Sequence, residues 1–243
     1  MVQRVEAEFG ENTKRSAGRA TEHRRFADLG FGLPNSAVTI ELKTIYQFHS
    51  AKGAFHVSEF QLVRRQQIVR EAEGYLDLAM ACGDHLTLSI DARNRLAERA
   101  LRVLKQLAPS AIYKSHVAYL TGQALRLMER YQDAIVHLEK AAENDPDDMH
   151  IWLALGWCYK RTGRLDLAIE SLEKAMEFDD EQAIIYYNLA CYWSLAENCR
   201  WALDYLTRAL EIDSSFRDMV ADEKDFNPIR DDPRFQELTS VIV

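Results

Sequence analysis

Only 10 glycines and 5 prolines punctuate the 243 residues. That is too few for the many tight turns of an all-β sandwich or barrel, so helices are favoured before any pattern is read. The four cysteines, Cys82, Cys158, Cys191 and Cys199, show no C-x-x-C spacing, and no apolar run of signal-peptide type precedes them; a reducing, cytoplasmic setting is the expectation. No stretch approaches the roughly 18 consecutive apolar residues of a helix that spans a bilayer. Basic residues are outnumbered, 30 Lys plus Arg against 38 Asp plus Glu for a formal charge of -8. Nonspecific binding to nucleic acid or an anionic membrane needs a basic face, so neither is an expected partner. Also missing are G-x-S-x-G, H-E-x-x-H, G-x-x-x-x-G-K-[ST] and G-x-G-x-x-G, the arrangements that expose a nucleophile, hold zinc or cradle phosphates. No catalytic residue, cofactor or metal is therefore expected. What is there is a chain 47% hydrophobic and 28% charged, the balance of a folded globular protein.

An internal repeat organises the second half. HLEKAAE at 137–143, SLEKAME at 171–177 and YLTRALE at 205–211 lie 34 residues apart. The same step joins Ala134, Ala168 and Ala202, and carries Gly122 onto Gly156 and Leu155 onto Leu189. Apolar residues recur three and four apart, as in Ala168, Leu172 and Ala175, which is the stripe of an amphipathic helix. Small residues at Gly122, Gly156 and Ala190, and at Ala134, Ala168 and Ala202, let paired helices approach closely. Gly163 falls between two helices, where the turn wants a residue free to take positive φ.

The series Trp152-x2-Leu155-Gly156-x2-Tyr159, followed by Ala168-x3-Leu172-x2-Ala175, resembles the signature of the tetratricopeptide repeat. Leu172 stands where an aromatic is usual and Asp180 where the closing proline falls. The first copy keeps Gly122, Ala134, Leu138, Ala141 and Pro146, with Ala118 and Leu125 replacing Trp and Tyr; the third has Tyr186, Leu189, Ala190, Trp193, Ala202, Leu206 and Ala209. The resemblance spans roughly 115–216 and implies an all-α fold, a right-handed superhelical solenoid of helical hairpins with degenerate end caps. Repeats are expected at 115–148, 149–182 and 183–216. A degenerate helical repeat or N-terminal cap is expected at 57–114, with helices at 60–80 and about 91–107 joined through 81–84. Capping helices are expected at 217–243, with Asp232 as N-cap, Pro233 in the first turn, and Phe235 and Leu238 packed back on the last repeat. Residues 1–56 hold five of the ten glycines and no helical stripe. They read as a poorly ordered extension with a weak strand pattern at 37–48 and, as an alternative, a native start at Val57.

Stacked hairpins of this kind use a concave wall of first helices for binding. Mapping the family's inward columns onto this sequence implies a peptide-binding groove of His116, Tyr119, Gln123, Arg126, His150, Trp157, Lys160, Arg161, Tyr187 and Asn188. Trp157 and Tyr187 are expected to face the channel, with Trp152 and Tyr186 filling the packing columns beside them. Aromatic anchors mixed with cations suit a partner's extended or helical peptide segment carrying an apolar side chain and carboxylates. The family's grip on chaperone C-termini, through Lys and Asn, is not reproduced at Tyr119, Gln123, Ala154, Ile184 and Asn188. His116 and His150, 34 residues apart, fit either a shared metal or hydrogen-bonding groups in a solvated groove; the missing third ligand favours the second. Asp145, Asp147 and Asp148 lack the glycine and distal glutamate of a calcium loop and read as a turn and N-cap. Cys158 and Cys191 read as small buried hydrophobes. The functional expectation is a noncatalytic adaptor or scaffold; the alternative is a regulatory or substrate-targeting subunit of an enzyme complex.

Overall fold

A computed structural model describes residues 59–81, 89–107 and 113–240. The extension at 1–56, with its strand pattern at 37–48, and the connection at 82–84 lie outside the described residues. Among the described residues every regular element is helical: α1 (Glu59–Ala81), α2 (Ile90–Leu104), α3 (Lys114–Leu127), α4 (Tyr131–Asn144), α5 (Met149–Arg161), α6 (Leu165–Phe178), α7 (Ala183–Leu195) and α8 (Cys199–Ile212). A 3-10 turn (Ser214–Phe216), α9 (Arg217–Val220), a 3-10 segment (Lys224–Ile229) and α10 (Pro233–Ser240) follow. The fold is all-α, a helical repeat, as the 34-residue period implies. Its residues fall into two compact units that part between Arg130 and Tyr131, inside the stretch expected as the first repeat.

The period is visible in the backbone of the turns. Arg130, Arg164 and Asn198 donate their N–H groups to the carbonyls of Leu125, Tyr159 and Trp193, each at 2.9 Å. Glu129, Gly163 and Glu197 donate to Arg126, Lys160 and Ser194. This is the Schellman closure of a helix, which satisfies orphan carbonyls by placing one residue in the left-handed region. Gly163 takes φ 76°, as its position predicts, and Glu129 and Glu197 take φ 59° and 56° at the equivalent positions without glycine's freedom.

In the first unit α1 packs against α2, and both pack against α3. Val69, Ala72, Leu76 and Ala79 form the buried stripe of α1, facing Ala97, Ala100 and Leu104 of α2. Their three- and four-residue spacing is what makes each helix one-sided. Ser89 caps α2 by accepting from the Ala92 N–H at 3.2 Å.

In the second unit the hairpins α5/α6 and α7/α8 pack internally, with α4 beside α5 and α6 beside α7. A Cβ on Gly156 would lie 3.2 Å from the Ala168 carbonyl oxygen and 3.3 Å from the Leu172 side chain, so the small residue is what permits α5 and α6 to touch. Asp148 caps α5 by accepting from the His150 N–H at 2.9 Å, and Asn198 caps α8 from the Trp201 N–H. α9 begins at Arg217, 34 residues after Ala183 opens α7, but ends at Val220. Pro228, which has no N–H to give and restricts Asn227, keeps an α-helix from running on through that position. The 3-10 segment instead packs onto α7. Asp232 caps α10 by accepting from the Arg234 N–H at 2.9 Å. Pro233 opens that helix, and the buried Phe235 lies 5.4 Å from Phe226, ring to ring.

Candidate peptide-binding face

His116, Tyr119, Gln123 and Arg126 stand on α3, in the first unit, where all four are buried. Their polar atoms are engaged within that unit. His116 Nε2 lies 2.7 Å from Glu73 Oε1 on α1. Gln123 donates from Nε2 to the Tyr119 hydroxyl and accepts from Arg126 Nε, both at 2.7 Å. An Arg126 terminal nitrogen lies 3.9 Å from the Met80 sulfur. The α3 residues therefore form a packed polar network beside α1.

The remaining six stand on α5 and α7 in the second unit. Trp157 is only 3% exposed and Tyr187 only 2%, which differs from the open position expected of them. The Trp157 ring meets Tyr131 edge-on at 5.2 Å, and the Arg161 guanidinium lies over both rings, 5.3 Å from Tyr131 and 5.5 Å from Trp157. Each is a cation–π contact. Trp152, expected in the packing column, is the less buried of the two tryptophans. Its indole donates to the Pro146 carbonyl and its ring lies 4.8 Å from Lys174 Nζ. His150 is half-buried, with Nδ1 sheltered and without a partner.

The covering of Tyr187 comes from the end of the chain. Phe216 and Phe226 approach the Tyr187 ring at 4.9 Å and 5.7 Å. Lys160 Nζ donates to Asp225 Oδ2 at 2.5 Å, across 65 residues of sequence. Burial opposes the charge on Lys160, but the Asp225 carboxylate outweighs it and the lysine pKa is raised. Lys160 also lies 5.7 Å from the centroid of the Tyr192 ring. The Tyr192 hydroxyl is buried without a hydrogen-bond partner, and burial, followed by the Asp225 charge, pushes its pKa well up. Asn188, Cys158 and Cys191 are buried in the same unit, the cysteines as small hydrophobes with free thiols. Sequence reasoning placed the cations and rings on α5 and α7 but missed Phe216, Asp225, Phe226 and Tyr192. The advance signal for Asp225 and Phe226 was the expectation that 217–243 caps the last repeat.

Among the described residues no three His, Cys, Asp or Glu side chains gather as a metal site, and no helix is long and apolar enough to cross a membrane. Chemically, the α5/α7 face sets the Lys160 ammonium, paired with Asp225, beside the Arg161 guanidinium, which lies over two aromatic rings.

The tetratricopeptide repeat family model matches residues 125–190. No curated protein matches the chain. Among solved structures, one described as the crystal structure of MamA aligns at 17% identity, covering 62% of this chain and 78% of that one, with a TM-score of 0.48. MamA MSR-1 C2 aligns at 19% identity over 65% of this chain and 99% of that one, TM-score 0.47. MamA AMB-1 C2221 aligns at 20% over 64% and 100%, TM-score 0.45.

Proposed function

We propose that this chain, whose residues 125–190 match the tetratricopeptide repeat family model, is a noncatalytic scaffold that binds a segment of another protein on α5 and α7. The observation that carries the reading is Arg161, held over the Tyr131 and Trp157 rings beside Lys160 on α5. A guanidinium over two aromatic rings in a chain of net charge -8, with Lys160 next to it already holding the Asp225 carboxylate, favours a ligand with carboxylates and an apolar anchor. Such a ligand is a peptide rather than nucleic acid or membrane. A cytoplasmic setting accords with Cys158, Cys191 and Cys199 as thiols. A regulatory or targeting subunit of an enzyme complex would use the same face and differ only in what it recruits.

The test is affinity purification from the native cell with the wild-type chain and with Arg161→Glu. Reversal of this charge is expected to weaken capture of a defined partner by about tenfold or more, roughly 1.4 kcal/mol, while the thermal transition stays within a few degrees. Capture unaffected by Arg161→Glu in a folded protein contradicts the reading.

A further inference from the structure

The C-terminal segment that covers α7 has the chemistry the α5/α7 face is suited to recognise. Asp225 places its carboxylate on Lys160. Phe226, the next residue, is fully buried with its ring edge-on to Tyr187. An acidic residue followed at once by an aromatic thus already sits on a buried cation and an aromatic wall. It is held there by a short 3-10 segment whose flanking backbone bonds, Phe226 N–H to Glu223 and Arg230 N–H to Asn227, are long at 3.4 Å, while the Arg230 guanidinium donates to the Ala221 and Glu223 carbonyls at 3.0 and 2.6 Å. Beside the pair of Lys160 and Asp225 the Tyr192 hydroxyl is buried and unpartnered. A buried donor left unpaired is costly, so this occupant uses the site incompletely.

We propose that Lys160, Tyr187 and Tyr192 form a recognition pocket for an acidic-aromatic dipeptide in a partner protein, and that Asp225-Phe226 closes this pocket in cis. A partner segment seating its carboxylate between the Lys160 ammonium and the Tyr192 hydroxyl satisfies the donor that Asp225 leaves idle. Access to the face then depends on release of residues 223–230. The inference rests on the scaffold reading and specifies its ligand.

The experiment uses the full chain and a labelled synthetic peptide of residues 221–230, followed by fluorescence anisotropy. Asp225→Arg sets two cations together and is expected to release the segment, seen as faster hydrogen exchange over residues 214–240. It should bind the peptide at least tenfold more tightly than the wild type, whose pocket is filled. A peptide carrying Asp225→Asn and Phe226→Ala should not bind, and Lys160→Glu added to Asp225→Arg should re-form the pair and return affinity to the wild-type level. If Asp225→Arg fails to fold, Asp225→Asn gives the same order of affinities with a smaller gap. Equal binding to both chains, no binding to a chain whose segment is open, or a release variant that simply dimerises would each overturn the proposal. Partner capture from cells that neither the peptide nor Asp225→Arg alters sinks this inference alone. Specific peptide binding with no partner captured by any variant sinks the scaffold reading instead.

Discussion

Two helical glycines, Gly74 and Gly156, meet opposite surroundings, and the same substitution at each separates helix propensity from packing. A Cβ on Gly74, on the exposed side of α1, meets nothing within 4 Å. Gly74→Ala should therefore gain most of the roughly 0.8–1 kcal/mol by which alanine exceeds glycine in a helix interior. A Cβ on Gly156 would stand 3.2 Å from the Ala168 carbonyl oxygen and 3.3 Å from Leu172. Both distances fall short of the roughly 3.5–4.0 Å at which non-bonded atoms attract best. The carbonyl belongs to the backbone of α6, and Leu172 is fully buried, so neither neighbour yields cheaply. Overpacking of this kind costs about 1–3 kcal/mol, enough to cancel or exceed the propensity gain. Gly156→Ala should thus fall below Gly74→Ala by about 1–3 kcal/mol, and Gly156→Leu should be clearly destabilised. All four tryptophans, Trp152, Trp157, Trp193 and Trp201, lie beyond Tyr131, so tryptophan fluorescence in a urea titration reports the second unit, while circular dichroism reports both. Should Gly156→Ala raise the fluorescence midpoint as far as Gly74→Ala raises that of the first unit, the close approach of α5 and α6 is refuted.

Three further outcomes follow from the geometry. Glu197 holds φ 56° at a Schellman turn, a conformation that costs a non-glycine residue about 1–2 kcal/mol; Glu197→Gly should raise stability by about 0.5–1 kcal/mol in the same urea titration, and a loss would contradict it. Trp157→Ala should cost about 3–5 kcal/mol and exceed the cost of Trp152→Ala, because Trp157 is the more buried ring; calorimetry showing the reverse order would restore the open position expected for Trp157. The pKa of Lys160 is raised by Asp225 in the folded state, so its contribution to stability is complete below the ordinary lysine value near 10.4 and fades as pH rises through the folded value. The stability gap between wild type and Lys160→Gln should accordingly be constant at neutral pH and shrink in strong alkali; a gap that widens there has the wrong sign.

The repeat was legible because packing and turn chemistry leave a period in the residues themselves. Gly156 and Ala168 are small where helices touch, Asp148 and Asn198 are side-chain caps, and Gly163 sits where φ turns positive. Glu129 and Glu197 were hidden, since glutamate does not advertise the left-handed region; only their 34-residue register with Gly163 points to it. The candidate site was half legible. Period alone places Lys160, Trp157 and Tyr187 on first helices, but it says nothing of partners brought in from outside the repeat. His116 meets Glu73 across 43 residues and Lys160 meets Asp225 across 65. These pairs, and the Phe216 and Phe226 rings on Tyr187, turned residues expected to face a channel into buried ones.

The central claim, that the first helices of the repeat carry the partner, is tested most directly by hydrogen–deuterium exchange on the purified chain with and without its captured partner. Added protection on α5 and α7, together with faster exchange over residues 223–230 as the cis segment leaves, is the predicted result. Protection confined to α6 and α8, around the exposed Trp201 ring, with α5 and α7 unchanged, would contradict the account.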